Sequence, residues 1–290
     1  MIWLSDQWKE YKLLDCGSGE KLEQWGRFLL RRPEPQAIWP WPDEDALPQP
    51  DGTYNRSMQG GGHWSFTHQL PLQWIVSYPG IVPLRFYVKP MGFKHTGLFP
   101  EQATNWDWMM RLIQNANRPI SVLNLFAYTG GATIACATMK ASVCHVDAAK
   151  GIVSQAKENA ALNQLENRPI RWIVDDCVKF VQREIRRGRH YDAIIMDPPS
   201  YGRGPSGEMW QLEDQLWALV KDSITLLSPR PLFILINTYT TGISPHIVGT
   251  VLDKLMGGRG KLSVNEIGLP IGDGKYALTC GCSARWEANF

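Results

Sequence analysis

The sequence lacks the signals that mark several common classes of protein. Its six cysteines include no C-x-x-C pair, so we expect neither a disulfide framework nor a zinc site. No apolar run approaches the roughly 20 residues that a membrane-spanning helix needs, and charge comes too early in the chain for a secretory signal. The formal net charge is only +2, without the basic excess of a strong nucleic-acid binder. We therefore expect a cytoplasmic protein with no membrane partner and no metal.

The stretch from Ser121 to Asp147 has the layout of a βαβ nucleotide-binding unit. An apolar run turns sharply at two glycines, a helix pattern of small residues follows, and a second strand ends on Asp147, 17 residues after Gly130. Because the turn lacks G-x-G-x-x-G, a dinucleotide pyrophosphate would find too little bare backbone there. The pattern favours S-adenosylmethionine over NAD. The candidate cofactor residues in the turn are Phe126, Tyr128, Thr129, Gly130 and Gly131.

The remaining elements predict an α/β fold. Strand and helix patterns alternate after Asp147, which implies a largely parallel sheet with helices on both faces. The last two predicted strands have no helix between them and suggest an antiparallel hairpin at one edge. This is the Rossmann-like, seven-stranded class I methyltransferase sheet, which we assign to residues 96–290. Within it we predict a glycine-rich loop over Ser200–Gly207 and a helix from Met209 to Leu227.

Residues 1–95 differ in composition and predict a small β-rich accessory domain, a possible substrate-recognition domain. Nine of the thirteen tryptophans lie before residue 110. They either fill the core of a thin β layer or stack on RNA bases, and balanced charge in this region favours the core. Strands are predicted at Trp64–Leu70 and Leu84–Val88. The segment Asp15–Gly19 imitates a D-x-G-x-G loop, but its context favours a simple β-turn.

Carboxylates follow successive predicted strands at Asp147, Asp175–Asp176 and Asp197. Ligands of a doubly wound sheet bind beyond the carboxyl ends of its strands. We therefore expect Asp147 to accept the ribose hydroxyls and Asp176 to accept the adenine amino group. A helix N-cap is the alternative role for Asp176 and Asp197.

The segment Asp197-Pro198-Pro199-Ser200-Tyr201 is the most specific motif. Prolines stiffen the backbone and donate no hydrogen bond, so carbonyls at the turn can face a pocket. Asp197 and the Pro198 carbonyl would then hold a planar amino group, and Tyr201 would stack on a base. An ordinary Pro-Pro turn with a capping Asp is the alternative. Arg203 is a candidate phosphate contact, whereas Arg183 and its basic neighbours are expected to complement a helix dipole.

Four motifs, FAYTGG, HVDAAKGIVSQAKENAALN, VDDCVKFV and MDPPSYG, resemble in type and order the bacterial ribosomal-RNA large-subunit methyltransferases of the RlmI/RlmK kind. The resemblance covers about residues 85–285. It implies S-adenosylmethionine as cofactor, held by Gly130, Asp147 and Asp176, an RNA substrate, and Asp197–Pro199 as catalytic loop. Further candidates are Asn159, Cys177 as a wall of the adenine pocket, and Gln102 at the methionine end. The family's Arg after that Gln is Ala103 here.

One departure from the family bears on the reaction. Members that methylate cytosine C5 carry a nucleophilic thiol in a Ser-Cys-Ser segment, because that carbon is unreactive until a nucleophile attacks next to it. This chain has Asn237-Thr238-Tyr239-Thr240 there, which favours methylation of a base nitrogen. Three alternatives stay open: an NAD-dependent oxidoreductase, a methyltransferase of a protein or small molecule, and an RNA-binding module without catalysis.

Overall fold

The computed structural model describes residues 2–57, 61–203, 209–239 and 242–289. The chain divides into two compact units, which are described separately. The α/β unit consists mainly of Asn105–Ile267 with Gly281–Phe290, and the β unit of Trp3–Thr104 with Gly268–Cys280. The predicted domain boundary between residues 95 and 96 stays a prediction.

The first part of the chain forms short strands. They are β1 (Ile2–Leu4), β2 (Tyr11–Gly17), β3 (Glu20–Trp25), β4 (Phe28–Pro33), β5 (Gly52–Arg56), β6 (Gly62–Phe66), β7 (Trp74–Tyr78) and β8 (Leu84–Val88). In the β unit, β2 to β6 lie side by side in sequence order, and β7 pairs with β8. Ser18 and Gly19 adopt positive φ angles of 50° and 79° between β2 and β3, which confirms the predicted turn.

The tryptophans of the β unit do not share one environment. Trp25 is fully buried and Trp41 nearly so, as expected for aromatic residues that fill a thin core. Trp64 lies on β6 at the end of the sheet order, and its ring stacks with that of Phe66, which is 47% exposed. The predicted strand Trp64–Leu70 is displaced, since the described strand is Gly62–Phe66.

The rest of the chain alternates helices and strands. After a short 3₁₀ helix (Pro100–Gln102) come α1 (Ala103–Asn115), β9 (Ser121–Leu125), α2 (Gly131–Thr138), β10 (Ser142–Asp147), α3 (Lys150–Leu162), β11 (Ile170–Val174), α4 (Cys177–Arg186), β12 (Ala193–Met196), β13 (Tyr201–Arg203), β14 (Met209–Gln211), α5 (Leu212–Ile224), β15 (Phe233–Thr238), α6 (Pro245–Met256), β16 (Gly260–Ile271) and β17 (Tyr276–Ala288).

The sheet of the α/β unit has the predicted topology. Among the described residues its strand order is β11-β10-β9-β12-β15-β17-β16. The strands from β11 to β15 run parallel, and β17 pairs antiparallel with β15. All residues of β12 and β15 are buried, which explains the apolar runs Ala193–Met196 and Phe233–Ile236. The prediction of a Rossmann-like sheet is therefore confirmed, and the carboxyl ends of its parallel strands share one edge.

The prediction fails at the segment after Asp197. The expected helix Met209–Leu227 is wrong at its start, because Met209–Gln211 is strand β14, and α5 is Leu212–Ile224. Part of the expected loop Ser200–Gly207 is strand β13, whose residues pair antiparallel with β14. Pairing between these strands overrides a local sequence that suits a helix. The side chain of Arg203 and residues 204–208 lie outside the described part of the chain.

Two further findings concern what the described residues do not form. None of their helices has the combination of length and apolarity that crossing a bilayer requires. The same residues include no group of three or more His, Cys, Asp or Glu side chains arranged to hold a metal ion.

Candidate functional site

The register of the parallel strands brings the predicted site residues level with one another. Leu125 on β9 pairs with Val146 on β10 and with Met196 on β12. The residues that directly follow these partners are Phe126, Asp147 and Asp197. Because β9 lies between the other two strands, Asp147 and Asp197 begin about 10 Å apart, two strand spacings, at one edge of the sheet.

The loop that follows β9 has an unusual backbone. Phe126 and Tyr128 adopt left-handed φ angles of 53° and 49°, and Gly130 has a φ of 90°. For residues with a side chain this conformation costs about 1–3 kcal/mol each, and it persists only where neighbouring groups hold it. We call residues 126–130 the cofactor loop, after the role that the sequence predicts for them, and three side chains hold it in this conformation.

Asp147 holds one part of the cofactor loop. Its carboxylate accepts the backbone N–H of Tyr128 at 2.9 Å and that of Ala149 at 2.9 Å. Burial raises the pKa of Asp147, while these two hydrogen bonds act in the opposite direction. An ionised carboxylate offers about four lone-pair sites, so roughly two stay available for hydroxyl groups of a ligand. The geometry is compatible with the predicted contact to a ribose.

Cys177 and Asn159 hold the rest of the cofactor loop. The Cys177 Sγ accepts the N–H of Phe126 at 3.2 Å, and the Asn159 Nδ2 donates to the Thr129 carbonyl at 3.0 Å. Both side chains are buried, and burial raises the pKa of the Cys177 thiol. The sequence predicts contacts from these residues to the cofactor. The structure shows the two contacts with the loop backbone and a further one from the Cys177 thiol to the Val146 carbonyl of β10 at 3.7 Å.

Asp176 caps a helix, the alternative that its position allowed. Its Oδ1 accepts the backbone N–H of Lys179 at 2.8 Å at the start of α4. A cap of this kind stabilises a helix by about 1 kcal/mol. The second carboxylate oxygen does not take part in that bond, and the predicted contact to adenine stays a prediction. Arg183 pairs with Asp175 and Arg187 with Glu184, and their expected role at the helix end stays a prediction.

The two glycines of the motif differ in what they permit. Gly130 has the left-handed backbone that favours glycine, and a Cβ there would lie 3.2 Å from the Cβ of Ala156. A Cβ on Gly131 would lie 2.8 Å from the ring of Trp106 on α1. Gly131 is therefore needed for packing between helices, and Gly130 for the path of the loop.

The predicted catalytic loop follows β12. Asp197 is half-buried, Pro198 is buried, and Tyr201 is 51% exposed with its hydroxyl 3.1 Å from the Met209 Sδ. The Pro199 carbonyl accepts the indole N–H of Trp210 at 2.6 Å. Trp210 was not predicted as a site residue, because its segment was read as the start of a helix.

A buried polar chain beneath the loop was also missed. Asn124 on β9 donates to the Thr133 hydroxyl at 2.9 Å, and that hydroxyl lies 2.9 Å from the Nδ1 of His145. His145 is fully buried, and burial lowers its pKa to about 3. The imidazole is therefore neutral at physiological pH, and the Thr133 hydroxyl is assigned as donor to its Nδ1. The three residues fix α2 against the strands whose ends carry the site.

The end of β15 contains the segment where C5 methyltransferases of the resembled family place a thiol. Asn237 Oδ1 accepts hydrogen bonds from Asn105 at 3.1 Å and from Ser283 at 2.6 Å. Thr238 Oγ1 lies 3.0 Å from the Sγ of Cys282, its register partner on β17. A thiol is therefore close to this position although the sequence motif has none. Burial raises the pKa of the Cys282 thiol, which disfavours the thiolate that a nucleophile requires.

Gln102 belongs to the β unit. It is buried in the 3₁₀ helix, where its backbone N–H donates to the Phe99 carbonyl at 3.1 Å. Its predicted contact with the methionine end of the cofactor stays a prediction.

Comparisons with known proteins converge on one family. A family model described as S-adenosylmethionine-dependent methyltransferase matches residues 70–243. A solved SAM-dependent methyltransferase from Agrobacterium tumefaciens is 37% identical, with a TM-score of 0.91 over 100% of this chain and 94% of that chain. Another from Streptococcus mutans is 18% identical, with a TM-score of 0.74 over 97% of this chain and 76% of that chain, which shows a shared fold.

Curated relatives match a smaller part of the chain. The ribosomal RNA large subunit methyltransferase K/L of Pseudoalteromonas atlantica is 33% identical over 147 residues, which are 50% of this chain and 20% of that protein. The protein of the same name from Shewanella frigidimarina is 30% identical over 155 residues, 53% of this chain and 21% of that protein. The chain thus spans about a fifth of the length of these relatives. Together the matches confirm the family resemblance of the motifs and the prediction of S-adenosylmethionine as cofactor.

Proposed function

Because this chain belongs to the S-adenosylmethionine-dependent methyltransferases, we propose that it transfers a methyl group from that cofactor to a base of RNA, at a nitrogen. The observation that carries the proposal is the shared register of Phe126, Asp147 and Asp197 at one sheet edge. This edge is where ligands of doubly wound sheets bind. RNA as the substrate class is supported by the names of the curated relatives, which match half of the chain.

The residues at this edge fit an adenosyl group. Asp147 retains carboxylate lone pairs for ribose hydroxyls beyond the two backbone bonds that it accepts. Asp176 uses one oxygen as a cap and retains the other for the adenine amino group. The left-handed Gly130 presents backbone without a side chain to the methionine part. When bound, S-adenosylmethionine supplies a methyl group that is electrophilic because it is attached to a sulfonium.

The catalytic loop would act by orientation and proton acceptance. Asp197 and the Pro198 carbonyl form an acceptor pair that holds an amino group of the target base, so that the nitrogen lone pair points at the methyl carbon. Asp197 would accept the proton that the target nitrogen gives up on methylation, with S-adenosylhomocysteine as the other product. Tyr201, half exposed beside this pair, offers its ring to the base.

Nitrogen is preferred over cytosine C5 because of the state of the nearby thiol. Cys282 lies beside Thr238, but it is buried and its thiol pKa is raised by burial. C5 methylation would need this sulfur ionised and exposed to the base. Mass spectrometry of nucleosides from total RNA, with and without the gene, identifies the product. Loss of an N-methylated nucleoside is expected, and loss of 5-methylcytidine would contradict the nitrogen assignment.

A pair of variants separates the reaction from cofactor binding. Asp197→Ala is expected to lower kcat about 10²–10⁴-fold, the usual contribution of a general base, and to leave the affinity for S-adenosylhomocysteine within about threefold of wild type. Asp147→Ala is expected to weaken that affinity about 10- to 100-fold, the loss of hydrogen bonds to a charged group. Calorimetry and methyl transfer to RNA measure the two effects.

Asp175→Ala is the matched control, a neighbouring strand-end carboxylate that pairs with Arg183. It should leave both quantities near wild type. If Asp197→Ala abolished binding of S-adenosylhomocysteine, Asp197 would be a cofactor ligand and the assignment would be wrong. Methyl transfer that persists after all RNA is removed from a lysate would favour a protein or small-molecule substrate. An RNA substrate is consistent with the cytoplasmic location expected from the sequence.

A further inference from the structure

Trp210 contacts both loops of the candidate site. Its indole N–H donates to the Pro199 carbonyl at 2.6 Å, and its ring centroid lies 5.7 Å from that of Phe126 at an interplanar angle of 45°. Pro199 belongs to the catalytic loop, and Phe126 begins the cofactor loop. One side chain therefore connects the segment expected to hold the acceptor with the segment expected to hold the methyl donor.

The hydrogen bond fixes a carbonyl in a stretch where two consecutive residues lack a backbone N–H. Pro198 and Pro199 have no backbone N–H, so this stretch can be held by the backbone only through its carbonyls. The Pro199 carbonyl is held by Trp210, and the next carbonyl, that of Ser200, accepts the N–H of Leu212 at 3.1 Å. Both donors come from the junction of β14 and α5: Trp210 lies on the strand, and Leu212 is the first residue of the helix.

The aromatic contact reaches a residue that is itself held in a costly conformation. Phe126 has a φ of 53°, and its N–H is bound by the Cys177 Sγ. A ring packed at this distance in a tilted arrangement makes a favourable aromatic contact in addition to its buried area. Displacement of Trp210 would therefore remove a contact from the cofactor loop as well as from the catalytic loop.

We propose that Trp210 is a positioning residue for the transfer reaction, which sets the catalytic loop relative to the cofactor loop by its indole N–H and its ring. This inference deepens the proposed function and rests on it for its kinetic consequence. Methyl transfer requires the acceptor atom, the methyl carbon and the departing sulfur to lie in line. A misplacement of about 1 Å can lower the rate about 100-fold. The residue acts through Pro199 and Phe126, without contact to the reacting atoms.

Two variants separate the actions of the side chain. Trp210→Phe keeps an aromatic ring beside Phe126 and deletes the indole N–H. It is expected to lower kcat about 10- to 100-fold, with KM for S-adenosylmethionine and the affinity for S-adenosylhomocysteine within about threefold of wild type. Trp210→Leu deletes the ring as well, and it is expected to lower kcat at least as much and to weaken S-adenosylhomocysteine. Trp217→Phe, on α5 with its side chain 46% exposed, is the matched control and should behave as wild type.

Hydrogen exchange gives a readout that needs no RNA. With S-adenosylhomocysteine bound, Trp210→Phe should speed exchange of the amides of Ser200–Gly202, while the peptide over 126–131 exchanges as in wild type. Unchanged exchange in Ser200–Gly202 would overturn the inference whatever the substrate is. A kcat within twofold of wild type for Trp210→Phe, in a protein that is active, would also overturn it. If the wild type itself transferred no methyl group to RNA, the proposed function would fail, and the exchange measurement would still decide the role of Trp210.

Discussion

Two polar networks, one in each unit, use carboxylates in opposite ways. In the β unit, Glu23 is fully buried and accepts hydrogen bonds from Arg32 at 2.6 and 2.8 Å and from Tyr11 at 2.8 Å. In the α/β unit, Asp147 accepts hydrogen bonds from two backbone N–H groups, that of Tyr128 in the cofactor loop and that of Ala149. The first network joins side chains to one another, whereas the second joins side chains to a loop.

The acidities of the two carboxyl groups express this difference. Burial opposes ionisation of Glu23, but the charges of Arg32 and Lys21 outweigh it and lower its pKa to about 2. Burial dominates at Asp147 and raises its pKa, because the backbone N–H groups that it accepts carry no full charge. A network closed by cations stabilises the fold and offers little to a ligand. A network closed by backbone amides retains lone pairs for a ligand and fixes a strained loop.

The largest expected effect tests the network around Glu23 in the β unit. Glu23→Gln leaves the Arg32 guanidinium buried without its carboxylate, which is expected to cost about 3–5 kcal/mol of unfolding free energy. Urea denaturation measures it. Glu20→Gln is the control on the same strand, because Glu20 pairs with Arg31 nearer the surface and such pairs contribute about 0–1 kcal/mol. A loss below about 1 kcal/mol for Glu23→Gln would show that the network does not depend on the ion pair.

The same carboxylate predicts the direction of the pH dependence. Because the pKa of Glu23 is lowered from 4.5 to about 2 in the folded protein, its contribution is present above pH 4.5 and is lost as the pH falls towards 2. Each unit of this interval corresponds to about 1.4 kcal/mol. The unfolding free energy of Glu23→Gln should therefore fall less steeply than that of wild type between these values.

The second-largest expected effect tests the network that holds the cofactor loop. Asn159→Leu keeps a similar volume and removes the hydrogen bond that Asn159 donates to the Thr129 carbonyl, a cost of about 1–3 kcal/mol. If Asn159 holds the loop for the cofactor, part of this cost appears as a five- to 100-fold weaker affinity for S-adenosylhomocysteine by calorimetry. Asn163→Leu is the control, since Asn163 is the C-cap of α3 and its side chain donates to the Asn159 carbonyl and not to the cofactor loop. Equal affinities for all three proteins, with a lower Tm for Asn159→Leu alone, would reduce the network to a stabilising role.

Much of the fold could be predicted because the decisive signals are local. The apolar runs of β12 and β15 are buried over their whole lengths, and the acids that follow strands mark where the chain leaves the sheet. The hairpin of β13 and β14 could not be predicted. Met209, Trp210 and Gln211 continue smoothly into an amphipathic helix in sequence, and only pairing with Tyr201–Arg203 makes them a strand.

For the candidate site, the sequence predicts residues that the register places level at one edge of the sheet, but it does not predict their hydrogen bonds. Aromatic side chains give no signal for the left-handed backbone of Phe126 and Tyr128, which neighbours impose. Asn159 lies 30 positions along the chain from its partner Thr129, and Cys177 lies 51 positions from Phe126. No rule of sequence spacing therefore predicts these contacts. Sequence patterns show that a polar residue lies near a ligand site, but they do not show whether it faces the ligand or the loop.

The smallest expected effect distinguishes these two roles at Cys177. If its Sγ serves the loop by accepting the Phe126 N–H, Cys177→Ala should weaken S-adenosylhomocysteine about fivefold, the value of about 1 kcal/mol for one hydrogen bond. Cys177→Ser restores an acceptor in nearly the same volume and should recover most of that affinity. Cys136→Ala, at a buried thiol on α2, controls for the loss of a sulfur atom from the core. Equal weakening in the Ala and Ser variants would mean that the sulfur acts through its size, as a wall of the pocket. The comparison between the two networks would then fail at this residue, because Cys177 would contribute packing and no hydrogen bond to the loop.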